Sequence, residues 1–524
     1  MGYSYSNTDR QNLEWFPRDD SRATLLAIRV KRGAIRGISS LDIGFEYPIT
    51  ALAGRNRSGK TTLLALAACA FHSDSQGYKL PGRKHPYYTF SDFFIQAEGE
   101  GTLEGITITY RILHNDWLPS PRVPEGRGPA WQSRSKASGG RWTNYDRRVP
   151  RPVVYLGIDR VVPHAEKTIS KSYRSLFRRV DEQGREEDVR NAVGRILGVQ
   201  YQAYESRQHS RYRLPVVTHE GVLYSGFNMG AGEDALFGMM SVFRDCPDGS
   251  LILIDEIELG LHEEAQTRLI DELKAICLAR HVQVICTTHS PTVLARLPPE
   301  GRIFIERVGT ETRVYPRITP PYAAGKLTGK PHPELDILVE DEVSHLIVEA
   351  SLDPDLRARV NIMPLGSSIA LMRHLAVRYK EARGPGACAI LDGDKAGDMP
   401  EHLQAFLALV ERNEEKEAAS EWVSQRVSFL PGTTWPEAWV IDQLGDPMRS
   451  RLAHEFGMSH AEINAAFEQA RLSGKHNEFR RLAQIFSYEE GILAHQTVKG
   501  ALESNPADIQ TLCAFVRDRL QPQQ

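Results

Sequence analysis

Apolar residues in the first half of the chain come in short runs, alternating with polar residues or closed by turn residues. Residues 23–53 read as short strands: TLLAIRVKRGAIRG leads into LDIGFEYP and then ITALAG. The run TTLLALAACAFH directly after them has a helical character. VVYLGI (153–158), LILIDE (251–256) and HVQVICTTHS (281–290) are nearly continuous apolar runs, the pattern of strands buried on both faces. Residues 183–206 read as a helix, and the Pro/Gly-rich stretch 316–334 as a linker. A second α/β set begins after it: ILVE, a helix from 342, VNIMPLG, a helix from 368, ACAILDGD and a helix from 399. Residues 446–524 are polar and helical in pattern. There is no internal repeat, and no heptad run long enough for a coiled-coil arm.

Composition narrows the class. The chain has 524 residues, 41% hydrophobic and 25% charged, which is ordinary for a globular protein of two to four domains and excludes a disordered or fibrous one. The net charge is −3, so contact with nucleic acid has to come from local patches or from cations bridging to phosphate. One such patch is the stretch 118–151, read as a surface insertion. It interleaves Arg122, Arg127, Arg134, Lys136, Arg141, Arg147, Arg148 and Arg151 with Trp131, Trp142 and Tyr145. Phosphate contact with base stacking suits it; so does a solvated loop or an interface for an associated protein. The six cysteines include no CxxC pair, which points to a reducing compartment and away from structural zinc. The chain begins without a signal-peptide pattern, and no apolar run reaches the ~18 residues of a membrane span, so a cytoplasmic location is expected.

The chemistry-bearing motif of the first half is Gly54-Arg-Asn56-Arg-Ser58-Gly59-Lys60-Thr61, a GxxxxGK[ST] string between a strand and a helix. Its glycines let backbone N–H groups curl around phosphates. Asn56, Ser58 and Thr62 belong to the same cradle. Lys60 is expected to reach the β/γ-phosphates of ATP and Thr61 to ligate Mg²⁺, with the helix N-terminus adding positive potential. The run Leu251–Ile254 followed by Asp255 and Glu256 brings two acids to the end of a buried strand. Asp255 suits Mg²⁺, and Glu256 suits the general base that polarises the attacking water.

With these residues the chain resembles the ABC-type ATPases of the SMC and OLD (overcoming lysogenization defect) group, over residues 23–316. The resemblance makes Ser225-Gly226 and Gly230-Ala-Gly232-Glu233 a divergent signature motif, Glu258–His262 the D-loop, Tyr88–Phe94 the Q-loop region and His289 the switch histidine. It implies that Ser225, Gly230 and Gly232 contact the γ-phosphate held by a second subunit. ATP would then hold a homodimer or larger homo-oligomer together through the ATPase heads.

Downstream, Glu340 ends one apolar strand, and Asp392-Gly-Asp394 ends another. Three carboxylates at strand ends in one small α/β unit suit Mg²⁺ or Mn²⁺; caps for the following helices are the plainer alternative. The arrangement resembles the TOPRIM domain of topoisomerases, primases and OLD nucleases, in which the Glu is a general acid/base or metal ligand and the DxD pair binds metal. The segment Pro436–Trp439 resembles a later OLD-type segment, which makes Glu437 a further candidate. This chain has Asp341 where that family has Gly, and Ser344 where OLD proteins often carry a second acid. A downstream lysine used by OLD nucleases is unassigned here, Lys395 lying one position past the DxD pair.

The expected fold is α/β: an ABC/SMC-like P-loop ATPase domain (1–316), a linker (317–334), a Rossmann-like TOPRIM domain (335–445) and a helical C-terminal region (446–524). The resemblance implies an ATP-gated, metal-dependent nuclease acting on DNA or RNA, set in defence against phage. The alternative is an ATPase scaffold or sensor whose inactive TOPRIM-like domain binds or releases an effector or trigger protein.

Overall fold

The computed structural model describes residues 3–98, 100, 104–137, 142–144, 147–164, 166, 174–180, 184–210, 212–308, 311–328, 333–381, 386–410 and 415–520. The fold is α/β throughout, in two compact units: Ser4–Lys330, and one formed mainly by Pro331–Gln524. Among the described residues no helix is long and apolar enough to cross a membrane.

The centre of the first unit is a six-stranded sheet in the order Glu311–Pro316, Arg302–Val308, Ile49–Ala53, Gln283–Thr288, Leu251–Ile254, Val153–Leu156. All neighbours are parallel except the first pair. Apolar clusters cover both faces, so strands such as Ile49–Ala53 and Leu251–Ile254 are buried at every position. Parallel pairing brings the ends at Ala53, Ile254 and Thr288 to one edge, where Gly54, Asp255 and His289 follow.

Three stretches differ from the sequence expectation. Residues 183–206 hold the helix Glu186–Leu197, closed by Gly198 at φ +74°, and then the strand Tyr201–His209; Tyr201 and Tyr204 bury in the core on the strand side. Residues 316–334 hold the helix Pro320–Thr328. Proline at its start loses no hydrogen bond, and Tyr322 and Ala323 join the first unit's core. The described residues of 118–151 are mostly exposed, but part of the stretch is built into the fold. Its strand Gly128–Lys136 pairs with Ile106–His114 along nine residue pairs. Arg134, Arg148 and Arg151 are buried: Arg148 donates to Tyr88 O (2.8 Å), and Arg151 to Gly249 O (2.8 Å) and Gln283 Oε1 (2.7 Å). Arg127 pairs with Asp20, and Trp142 stacks on Phe90 at 3.9 Å. Arg141 and Tyr145 lie outside the described residues.

The second unit has a parallel four-stranded sheet in the order Val360–Pro364, Leu335–Val339, Gly386–Leu391, Val427–Phe429. The helices after residue 446 share one apolar core with this sheet, Phe467, Leu482, Leu493 and Val516 clustering with Leu335, Ile337 and Val339. They are part of the unit and not a separate tail.

Candidate functional site

At the P-loop, glycine is required by space. A Cβ at Gly54 would sit 2.3 Å from Ile305 O, and one at Gly59 (φ +101°) 2.7 Å from the Ile38 side chain. Gly59 starts the helix Lys60–Ala68. Lys60 is buried and donates to Gly54 O at 2.7 Å, with His289 Nε2 2.9 Å away. Thr61 Oγ1 lies 3.2 Å from Asp255 Oδ2. Thr287 Oγ1 donates to Asp255 Oδ1 at 2.6 Å and accepts from the Glu256 amide at 2.7 Å. Ser58 Oγ is buried with no hydrogen-bond partner among the described residues, while Asn56 is exposed and Thr62 buried on the helix. A glycine cradle, a buried lysine, an unsatisfied hydroxyl and a Thr–Asp pair fit a nucleoside triphosphate with one divalent cation.

Burial, then repulsion from Glu258, pushes the Glu256 carboxyl up to about 7. His289 is held down by burial and by Lys60, so it faces Lys60 as a neutral acceptor; Glu256 Oε1 is 3.4 Å from its Nε2. Glu258 Oε1 accepts the His289 amide (2.5 Å), and its other oxygen is buried without a partner among the described residues. Arg160 was not evident from the sequence. Its guanidinium donates to the carbonyls of Asp255 (2.6 Å), Glu256 (2.6 Å) and Gly157 (3.0 Å), fixing a turn in which Glu256 has φ +49°.

The signature-like residues gather elsewhere in the unit. Ser225 ends the strand Val222–Ser225, and Gly230 caps the helix Ala231–Asp245 with open space at its Cβ position. Gly232 meets Gly260 of the D-loop-like turn: a Cβ on Gly232 would fall 2.0 Å from Gly260 O. Tyr201 and Tyr224 both donate to Glu233 Oε1 at 2.7 Å, and burial with that carboxylate raises both phenols. Among the described residues no hydrogen bond joins Ser225, Gly230 or Gly232 to the P-loop.

In the second unit the sheet edge collects Glu340 and Asp392. Glu340 is buried, and each of its oxygens accepts a backbone N–H at 3.1 Å: Oε1 from Asp392, Oε2 from Ser368 at the start of the helix Ser368–Glu381. Burial and then the Glu340 charge push the Asp392 carboxyl up to about 7. Ser344 Oγ lies 2.8 Å from both Asp392 Oδ1 and Asp341 Oδ1, and one hydroxyl proton serves only one of them. A proton retained by Asp392 satisfies the other contact. Gly393 is forced by a close approach, since its Cβ would lie 2.5 Å from Gly432 O. Asp394 Oδ2 meets Lys475 Nζ at 2.9 Å, and Lys395 is farther, at 4.0 Å. Asp394 Oδ1 is buried without a partner among the described residues. Glu437 is buried on the first turn of the helix Pro436–Asp442 and bonds His476. Lys475 and His476 sit in a polar turn whose sequence, SGKHN, has no spacing that ties it to strands 80 residues away.

Residues 216–295, which span the signature-like helix, Asp255, Glu256 and His289, match the family described as "AAA domain, putative AbiEii toxin, Type IV TA system". The first unit carries a P-loop ATPase-type domain. The chain is similar to the SMC head domain from Thermotoga maritima (15% identity, 56% of this chain and 98% of that one, TM-score 0.33). The chain is also similar to the C-terminal regions of the OLD proteins of Xanthomonas campestris pv. campestris (16%, 36% and 96%, TM-score 0.25) and Burkholderia pseudomallei (15%, 36% and 99%, TM-score 0.26). Among curated proteins none matches.

Proposed function

We propose that the protein is an ATP-hydrolysing, metal-dependent nuclease of the OLD type, whose ATPase unit gates or senses for cleavage of DNA or RNA by the second unit. The observation that carries the reading is the meeting of Glu340 and Asp392 at one sheet edge, with Asp394 held by Lys475. A divalent cation bound there, Mg²⁺ or Mn²⁺, would neutralise the scissile phosphate and acidify a water. Glu340, locked by two backbone N–H groups, orients Asp392. Lys475 orients Asp394 and brings a fixed positive charge to a site that must admit a polyanion. In the ATPase unit Glu256 accepts the proton of the attacking water, Lys60 and His289 face the phosphates, and Thr61 with Asp255 hold Mg²⁺. Ser225, Gly230 and Gly232 act on the nucleotide of a second copy, making a homodimer through the ATPase units. Defence against phage is the setting that the resemblance suggests.

The test is cleavage of linear and supercoiled DNA and of RNA with Mg²⁺ or Mn²⁺, with and without ATP. Wild type should cut, and Asp392→Ala should not, while keeping its ATPase rate and melting temperature. Absence of cleavage under every condition would sink the nuclease and leave the scaffold reading, with an effector protein as the partner to be sought.

A further inference from the structure

Arg57 sits in the middle of the P-loop with φ +69°, in the left-handed region that strains a residue with a Cβ and costs glycine nothing. The GxxxxGK[ST] pattern accepts any residue at this position, glycine included, so an arginine held there under strain points to a use for its side chain. The loop's two arginines differ in what they hold. Arg55 Nε donates to Lys326 O at 2.5 Å, on the helix Pro320–Thr328. Arg57 is exposed, and among the described residues its guanidinium makes no hydrogen bond, ion pair or ring contact. It lines a cavity of about 310 Å³ between the loop and the strand end Phe304–Arg307, which leaves the side chain room to turn. The site beside it is short of positive charge. Burial lowers the Lys60 ammonium against the pull of Glu256, Asp255 and Glu258, so three carboxylates surround one buried cation. A triphosphate adds more negative charge, and hydrolysis moves it onto the oxygens around the bond that breaks.

We propose that Arg57 is a catalytic residue of ATP hydrolysis, donating from its guanidinium to the phosphates held by its own loop. This role rests on the ATP-hydrolysing reading of the first unit and is independent of the nuclease. In the step, the water oxygen bonds to the γ-phosphorus while Glu256 takes a water proton, and the bond from the γ-phosphorus to the β–γ bridging oxygen breaks. Its electron pair stays on that oxygen, now part of ADP, and the γ-phosphoryl group departs as inorganic phosphate. The planar guanidinium presents several N–H donors at once, so it bonds the bridging oxygen and a γ-oxygen together. These bonds strengthen as charge builds on the bridging oxygen, which lowers the barrier more than it tightens binding of ATP.

ATP turnover of the full-length protein is read by phosphate release, beside its melting temperature and its binding of ADP with and without aluminium fluoride, a mimic of the transferring phosphoryl group. Asparagine adopts the left-handed turn readily and carries no charge, so Arg57→Asn separates strain from chemistry. Its melting temperature should equal or exceed that of wild type. Its kcat should fall about 10²–10³-fold with KM for ATP within about threefold. ADP alone should bind as before, and ADP with aluminium fluoride at least about a hundredfold more weakly. Lys60→Ala protein, which keeps Arg57 but lacks its own phosphate-binding lysine, should not restore turnover when mixed with Arg57→Asn. Restoration would move the arginine onto the nucleotide of a neighbouring copy and overturn the assignment. So would turnover within about threefold of wild type, a loss confined to KM, or a lower melting temperature, each of which leaves the ATPase itself standing. No turnover by wild type would sink both.

Discussion

Lys475 Nζ lies 2.9 Å from Asp394 Oδ2, although 81 residues separate the two in the chain. Burial works against the ammonium, but Asp394, with further help from Asp392 and Glu340, outweighs it and raises the Lys475 pKa. Lys475 therefore stays charged at any working pH. Lys475→Met should lower nucleic-acid cleavage by about 10²–10³-fold, the usual cost of removing one aimed charge, with the ATPase rate unchanged. Equal cleavage by the variant would remove Lys475 from the site.

Glu256→Gln keeps the shape of the side chain and removes its basicity. ATP turnover should fall by about 10²–10⁴-fold. ATP should remain bound, and light scattering behind a sizing column should show an ATP-dependent dimer that wild type forms only transiently. A monomer at every ATP concentration would count against the trans role of Ser225 and Gly230.

Gly232→Ala inserts a methyl group into the carbonyl of Gly260. Relieving that collision should cost about 1–3 kcal/mol, as overpacking does, read by urea denaturation. ATPase activity should fall with it, because the backbone shift falls on the turn between Glu256 and the helix Glu263–Arg280. Gly230→Ala meets no such collision and should cost less, about 0.5 kcal/mol for a poorer N-cap.

The buried pair Asp9–Lys274, at 2.9 Å, predicts an acid-side effect. Burial alone would raise the Asp9 carboxyl, but Lys274 and Ser6 outweigh it and hold Asp9 below the usual range. At Lys274 burial prevails and the ammonium is lowered, so the acid-side signature belongs to Asp9. A lowered carboxyl contributes stability that is complete above its unfolded pKa of about 3.9 and is lost as pH falls through the lower folded value. Lys274→Met should cost about 3–5 kcal/mol at neutral pH, by leaving the buried Asp9 charge without its cation, with the hydroxyls of Ser6 and Tyr47 still donating to it. That cost should shrink as pH falls, because without Lys274 burial raises the Asp9 carboxyl and its protonation removes the buried charge, measured by urea denaturation at a series of pH values.

The strand-end carboxylates and the P-loop were legible because each depends on a local rule: a buried apolar run followed by a residue that no core would accept. Lys475, His476 and Arg160 were not, since they reach their partners across the fold and leave no spacing in the chain. Three arginines of the stretch 118–151 misled for a related reason. Arginine reads as surface in a sequence, yet Arg134, Arg148 and Arg151 are buried and bond neighbouring carbonyl groups and amide side chains. Proline and glycine misled at Pro320–Thr328, where proline merely starts a helix.

Arg160 grips the main chain at Asp255 and Glu256 and touches neither side chain through these bonds. The turn is thus held by a clamp that is blind to what it presents. Carboxylates there can be exchanged for amides without moving the peptide that bears them. Scaffold and reactivity are separable at this point of the molecule, and an inactive protein with an undisturbed frame is within reach of a single codon.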